Sequence, residues 1–566
     1  VLIRNRVAAV VAANLVLNRE HWTNMHLSST SAQNTGLGAE TVADPVDLPG
    51  ITAHSCIHDA NSPILRPELA SVIARRLRDW RYGNVVYQVF VDRFAPSRRL
   101  EAKRPLYSAP RRLKQWDEVP IKGAYLQDER INEQEIEFWG GDLDSVMTRL
   151  GYLAELGIDV LYLNPIFHAF TNHKYDALDY CEIDPQYGTQ EDLKELADAL
   201  HAQGQRLILD GVFNHMGCRS PLFEKASGDA AGPERPYFDF HENFRWGYRS
   251  WRNAANLPEL NLEHPDVRAM IFSEEDSVVQ RYLRQAGIDG WRLDVAPDLG
   301  FHWLAELTRS AHNANPESVL IGECWNYPEE WLNVLDGVMN MHARLIILAL
   351  VEGRISAPHA GRLLDRMVQD AGIDGLLKSH LVIDNHDIAR IATLVPDLAS
   401  RQIAHVLQFT LPGCPVIYYG SELGMAGGYD PENRAPMRWD LVTDDNPTLT
   451  LHRNLLQIRR ENPALRVGEF RLLDTEQMLA FIRLTARARE TVLVAINPTD
   501  QTSTELMPLR DSRLMDASPL ICQLTGEQAM ASCGLLELTL PPRSARIFRT
   551  KDRGAHTGYS AFKRVP

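Results

Sequence analysis

Four acidic residues, Asp210, Asp294, Glu323 and Asp387, each close or follow a short apolar run. The runs are Leu207–Asp210, Gly290–Asp294, Val319–Glu323 and Leu381–Asp387. An unpaired ionised carboxylate is costly away from water, so buried strands rarely carry one. Four of them, with His215, Arg292 and His386 close by in sequence, point to one polar site at the strand ends of a barrel. Structural ion pairing at a barrel rim explains Asp210 alone equally well, but not all four together.

Paired carboxylates suit the cleavage of a glycosidic bond with retention. One attacks the anomeric carbon and the other protonates the leaving oxygen, from about 5–5.5 Å apart. Neighbouring strands lie about 4.8 Å apart, which is compatible with that gap. Arg292 stands two residues before Asp294, so on a strand both point the same way. A guanidinium there is expected to keep Asp294 ionised, as a nucleophile requires. Glu323 is the better acid, because Cys324 and Trp325 beside it suggest a less polar setting. The remaining carboxylate, Asp387, suits orienting hydroxyls or stabilising positive charge on the sugar.

These residues need a scaffold of alternating elements. Apolar runs at 85–91, 159–163, 206–210, 288–294, 318–323, 335–340, 380–385 and 415–419 predict eight strands. Helical patterns fall at 142–156, 268–286, 301–314 and 448–461; a capping-box pattern opens another at Thr189 and Gly204 closes it. The alternation predicts an α/β fold, a (β/α)8 TIM barrel over 81–215 and 266–462. Residues 216–265, rich in Pro, Gly and aromatics, predict a short insertion domain after strand 3. Short alternating runs over 463–551 predict a C-terminal all-β sandwich domain. Residues 1–80 read as a partly helical or mobile extension with a helix near 67–80, and 552–566 as a tail. The arginines of 95–137 are interleaved with Glu and Asp, which favours a solvated loop over an anion site.

The 566 residues are 45% hydrophobic, enough for a large core and too long for one ordinary domain. A net charge of -15 argues against a nucleic-acid partner, and no apolar run is long enough for a membrane span. The seven cysteines are odd in number and widely spaced, with no CxxC and no HExxH, which predicts a reduced compartment and no structural zinc. Arg4 and Arg6 before Val7–Ala13 faintly resemble a secretion signal, but Asn14, Asn18 and Arg19 interrupt it. With no initiator Met, the first residues read as lying upstream of the natural start. A cytoplasmic location is expected, with a periplasmic or secreted one as the alternative.

The motifs resemble those of the α-amylase family of retaining glycoside hydrolases. Asp210–His215, Gly290–Ala296, Gly322–Trp325 and Asp384–Asp387 are similar to its four conserved regions, in order and spacing. Leu257–Asn261 resembles the extra region of its insertion domain, Tyr87–Phe94 its first barrel strand, and Arg434–Trp439 the segment after its eighth. The resemblance implies Asp294 as nucleophile, Glu323 as general acid/base and Asp387 as transition-state stabiliser. It implies that Arg292, His215 and His386 bind the sugar, that Asp210 buttresses Arg292, and that Tyr175, in His173–Asp176, stacks on the sugar.

Within the family the chain resembles the neopullulanase, cyclomaltodextrinase and maltodextrin glucosidase group. That implies an α-glucan oligosaccharide substrate, with maltooligosaccharides or cyclodextrins cleaved at α-1,4 bonds. Transglycosylation, or action on α-1,6 bonds or sucrose, is the alternative. A non-catalytic carbohydrate-binding relative is disfavoured, because all three carboxylates are retained. The group often carries an N-terminal β-sandwich for dimerisation and an Asn/Asp-rich calcium loop after the first strand. Residues 1–84 show no sandwich pattern, which leaves the oligomeric state open. Residues 95–137 show no such loop, so no cofactor is expected to be required and calcium has no clear site. Pro297-Asp298 and Ser421 depart from the family pattern, at positions expected to affect the acceptor side or bond specificity.

Overall fold

The computed structural model describes residues 66–551. The expectations for residues 1–65 and 552–566 lie outside the described residues.

Eight parallel strands close into a barrel: β1 (Val86–Val89), β2 (Val160–Leu163), β3 (Arg206–Gly211), β4 (Gly290–Leu293), β5 (Val319–Cys324), β6 (Gly337–Asn340), β7 (His380–Leu381) and β8 (Cys414–Tyr418). Each pairs with its sequence neighbours, and β1 pairs with β8. The runs are apolar nearly throughout because both faces of the sheet are covered. One face packs inward as Val86, Val160, Ile208, Val319, Ile321, Met339 and Val416. The other packs against the helices, through residues such as Leu161, Leu207, Trp291 and Leu320. β7 is shorter than the run at 380–385 predicts, so Asp387 stands on a loop beyond it.

The helices follow their local signals closely at some ends and poorly at others. Thr189 caps Gln190–Ala202 with the capping box, Asp192 Oδ2 accepting the Thr189 N–H at 2.8 Å. The pattern at 142–156 is two helices, Leu143–Met147 and Leu150–Leu156. The Thr148 hydroxyl bonds back to Ser145 O at the break, and Gly157, at φ 88, turns the chain into β2. The pattern at 268–286 is likewise broken. Wide π turns at Ala269–Ser273 and Tyr282–Ala286 flank a bend that exposes Glu274, Glu275 and Asp276, three like charges in a row. The helix predicted at 301–314 is present; a separate first turn, Ala296–Leu299 with Pro297 at its start, precedes it, and Gly300 at φ 77 and ψ 158 breaks the helix between the two.

In the insertion, Phe223 meets Tyr248, Phe238 and Phe240 at ring distances of 4.8, 5.0 and 5.8 Å, and this aromatic group is continuous with the core around the barrel. It is stitched to the end of β3 by the bridge His215–Glu259. The C-terminal domain is all-β: a six-stranded sheet from Glu469–Leu472 to Ser544–Thr550 faces the pair Ser503–Pro508 and Leu535–Leu540. Met478, Ile482, Leu493, Met507, Leu538 and Phe548 fill the space between them. The arginines of 95–137 are mostly occupied: Arg104 pairs with Glu101, Arg112 with Glu133, and Arg99 with Asp192. Arg111 donates to the carbonyls of Ala169 and Phe170.

Candidate active site

The register of the barrel sets Arg292 of β4 beside Asp210 of β3 and Ile321 of β5. Arg292 is wholly buried, and its guanidinium gathers three carboxylates. Nη1 donates to Asp210 Oδ1 at 2.8 Å and to Asp294 Oδ1 at 2.9 Å. Nη2 lies 2.9 Å from Glu323 Oε2, an ionic contact along which no N–H is aligned. Asp294 follows β4, and Glu323 is the fifth residue of β5, so neighbouring strands present the two acids to one cavity.

Asp210 does more than buttress Arg292. Its Oδ2 accepts the hydroxyls of Tyr162 at 2.6 Å and Tyr175 at 2.9 Å. The Tyr175 hydroxyl in turn meets His386 Nε2 at 2.6 Å, and the two rings stack 7° from parallel. Gln88 Nε2 donates to His386 Nδ1 at 3.0 Å, so the imidazole proton belongs on Nε2, facing Tyr175 and, at 3.2 Å, Asp387 Oδ2. Burial holds His386 well below the usual imidazole range, consistent with this neutral form. One polar chain therefore runs from Gln88 through His386, Tyr175 and Asp210 to Arg292.

Asp387 is the open member, its side chain 35% exposed against 7% for Glu323. Its loop is pinned from the segment after β8. Asn433 Nδ2 donates to the carbonyls of His386 and Ile388 at 2.7 and 3.0 Å. Arg434 Nε donates to His386 O at 2.8 Å, and its Nη2 to Asp387 Oδ1 at 3.3 Å. His215 is buried at the end of β3, and its Nε2 has no partner within the protein. Burial pushes it down to about 3, so it presents a neutral ring.

Two electrostatic expectations need correction. Asp294 is pushed well above the usual carboxylate range by burial, and Glu323, Asp210 and Asp387 add to the shift. Arg292 opposes this but is outweighed, first by burial and then by the other carboxylates that share it. Nor is the setting of Glu323 apolar. Strand alternation turns Cys324 away into the core behind the barrel. Trp325 is exposed and donates its indole N–H to Glu323 Oε1 at 3.0 Å, while the Val295 N–H meets Oε2 at 3.0 Å. Val295 holds a left-handed φ of 40, unusual for a β-branched residue, and this turn aims its N–H at the acid.

Sequence reasoning missed Tyr162, Gln88, Asn433 and the part played by Arg434, although Arg434 lies in a segment singled out above. It also missed Trp251 of the insertion, which stacks on His215 at 5.5 Å and donates to Asp298 Oδ2 at 3.2 Å. Trp251 opens a tight turn, closed by Ala254 N–H to Trp251 O, whose central residues Arg252 and Asn253 have φ 47 and 59. Ser421 donates its hydroxyl to the buried Asp384 at 2.8 Å. Among the described residues no group of three or more His, Cys, Asp or Glu is disposed to hold a metal.

The family model for the α-amylase catalytic domain matches residues 88–468. The chain belongs to the α-amylase family. It is 34% identical over 376 residues to a cyclomaltodextrinase of Bacillus sp, a match covering 64% of this chain and 66% of that one. It is 32% identical over 491 residues to neopullulanase 2 of Thermoactinomyces vulgaris, covering 83% and 78%. Among solved structures, the cyclic α-maltosyl-(1→6)-maltose hydrolase of Arthrobacter globiformis superposes with a TM-score of 0.70 at 26% identity, covering 84% of this chain and all of that one. The chain thus spans about two thirds of the length of the first of these relatives. The relatives it resembles are named cyclomaltodextrinase and neopullulanase, and its closed barrel and C-terminal all-β domain agree with that membership.

Proposed function

We propose that the protein is a retaining glycoside hydrolase that cleaves α-1,4-glucosidic bonds of maltooligosaccharides and cyclodextrins through a covalent glycosyl-enzyme intermediate. The observation that carries this reading is the sharing of Arg292 by Asp294 and Glu323, on neighbouring strands of one barrel mouth. Asp294 attacks the anomeric carbon while Glu323 gives a proton to the leaving oxygen; Glu323 then takes a proton from the water that releases the sugar. The more open Asp387 faces the ring as positive charge develops on it. Tyr175 offers a half-buried ring for stacking, and His215 Nε2 and His386 offer polar atoms for hydroxyls.

The substrate class is supported by the cyclomaltodextrinase and neopullulanase names of the relatives. Action on α-1,6 bonds is a second reading, supported by the (1→6)-linked substrate in the name of the structural relative. A cytoplasmic location is supported by a relative named intracellular maltogenic amylase and by six free cysteines among the described residues. The test is product analysis on maltotriose, β-cyclodextrin, pullulan, isomaltose and sucrose, with Glu323→Gln beside the wild type. Loss of general acid catalysis should lower kcat by about 10²–10⁴ on the α-1,4 substrates. Unchanged turnover by the variant refutes the assignment of Glu323, and turnover of sucrose alone refutes the substrate class.

A further inference from the structure

The segment after β1 that shows no calcium-loop sequence places a cation of its own beside the barrel. The short helix Leu100–Lys103 delivers the Lys103 ammonium to three oxygens: Asp142 Oδ2 at 2.7 Å, Gln186 O at 2.9 Å and Gly140 O at 3.0 Å. An ammonium has three N–H donors, and all three are used. The site is enclosed, with 12% of the Lys103 side chain and 1% of the Asp142 side chain exposed.

The same residues hold the surrounding chain in place. Asp142 Oδ1 caps the helix Leu143–Met147 by accepting the Ser145 N–H at 2.8 Å, and Oδ2 also accepts the Ser97 hydroxyl. Gln186 Oε1 accepts a second buried ammonium, that of Lys174, at 2.6 Å. Lys174 adopts a left-handed φ of 64 directly before Tyr175. The nest thus reaches from the loop after β1 to the loop that presents the Tyr175 ring.

Its geometry suits an ammonium and not a calcium ion. Calcium takes about 6–8 oxygens at roughly 2.3–2.6 Å, whereas here three oxygens stand at N–H···O distances. The single carboxylate in contact, Asp142, balances one positive charge and not two. The next carboxylate, Asp92, is taken by the Trp139 and Gly140 N–H groups and by Arg93. The calcium that the resemblance leaves open does not fit the residues present at this place. We propose that Lys103 is a tethered cation that stands in for a bound metal ion, cross-linking the 95–107 segment, the Gly140–Asp142 turn and the Gln186 loop.

Thermal unfolding of the full chain tests this. Wild-type Tm should be unchanged by EDTA and by added calcium chloride. Lys103→Met, which keeps the chain length but leaves Asp142 without its cation, should melt roughly 3–6 °C lower. Lys103→Ala should regain part of its loss in ethylammonium chloride and none in ethanol, a charge-specific rescue that lost packing alone does not give. A wild-type Tm that falls in EDTA and returns with calcium overturns the proposal, as does a Lys103→Met variant that melts with the wild type. If neither variant folds, the wild-type melts with EDTA and calcium decide.

Discussion

Replacing Asp210 by Asn changes almost no volume and removes one negative charge from the deepest layer of the site. Asp210 accepts three hydrogen bonds, from Arg292, Tyr162 and Tyr175. An Asn keeps one acceptor and turns the other position into a donor. If its carbonyl stays with Arg292, its NH2 faces both tyrosine hydroxyls, and that of Tyr175 already accepts from Asn164 and His386. Tyr175 then loses its anchor. A hydrogen bond to a charged group contributes about 1.5–3 kcal/mol and a neutral one about 0.5–1.5. The net loss at the site is about 1–3 kcal/mol, so kcat/KM on maltotriose should fall roughly 5- to 150-fold. Stability should not follow. Arg292 alone faces Asp210, Asp294 and Glu323, so removing one carboxylate relieves like-charge repulsion, and Tm should hold or rise. The pH profile adds a sign. Asp210 is one of the charges that raise Asp294, so in Asp210→Asn the nucleophile ionises at lower pH. The acidic limb of kcat/KM should therefore move to lower pH. A variant whose Tm and activity fall together, with the acidic limb unmoved, refutes this and leaves Asp210 a structural ion-pair residue.

Trp251→Ala should lower kcat/KM on maltotriose about tenfold by releasing His215, about 1.4 kcal/mol of positioning. Trp251→Phe, which keeps a ring on His215 but loses the bond to Asp298, should keep most of the activity; equal rates for wild type and both variants at unchanged Tm refute the role. Away from the site, His405 and His452 pack 4.4 Å apart in the core, and burial pushes His452 down to about 4. Against an unfolded value of about 6.5, His452 contributes stability that is complete above pH 6.5 and lost as pH falls through 4, about 3 kcal/mol in all. Denaturant melts of His452→Gln should show a flatter loss of stability between those limits, and a slope equal to the wild type's contradicts the assignment.

The barrel was legible because strands buried on both faces leave unbroken apolar runs, and a carboxylate at the end of such a run stands out. Asp210, Asp294 and Glu323 were visible for that reason, and Arg292 because a strand has a period of two. Local pattern could not reveal where an apolar run stops pairing, so β7 ends at Leu381, and Asp387, expected just past the strand, stands farther along the loop that follows it. Nor could it reveal the breaks at Thr148 and at Glu274–Asp276, where side-chain back-bonding and like charges compete with the helix.

The larger gap concerns partners brought from far along the chain. Asn433 and Arg434 stand 47 positions from the groups they hold, and no periodicity marks them. Lys103 reaches Gln186 across 83 positions and looks in sequence like one more solvated cation. Trp251 lies in a segment that reads as an irregular aromatic insertion. The misjudged polarity of Glu323 has the same origin. Its sequence neighbours Cys324 and Trp325 are apolar, but alternation buries one behind the sheet and leaves the other donating a hydrogen bond. The carboxylate of Glu323 is therefore held by Arg292, Val295 and Trp325 together. A substitution at Val295 that relaxed its left-handed turn would reach Glu323 through one backbone N–H, without touching any of the carboxylates.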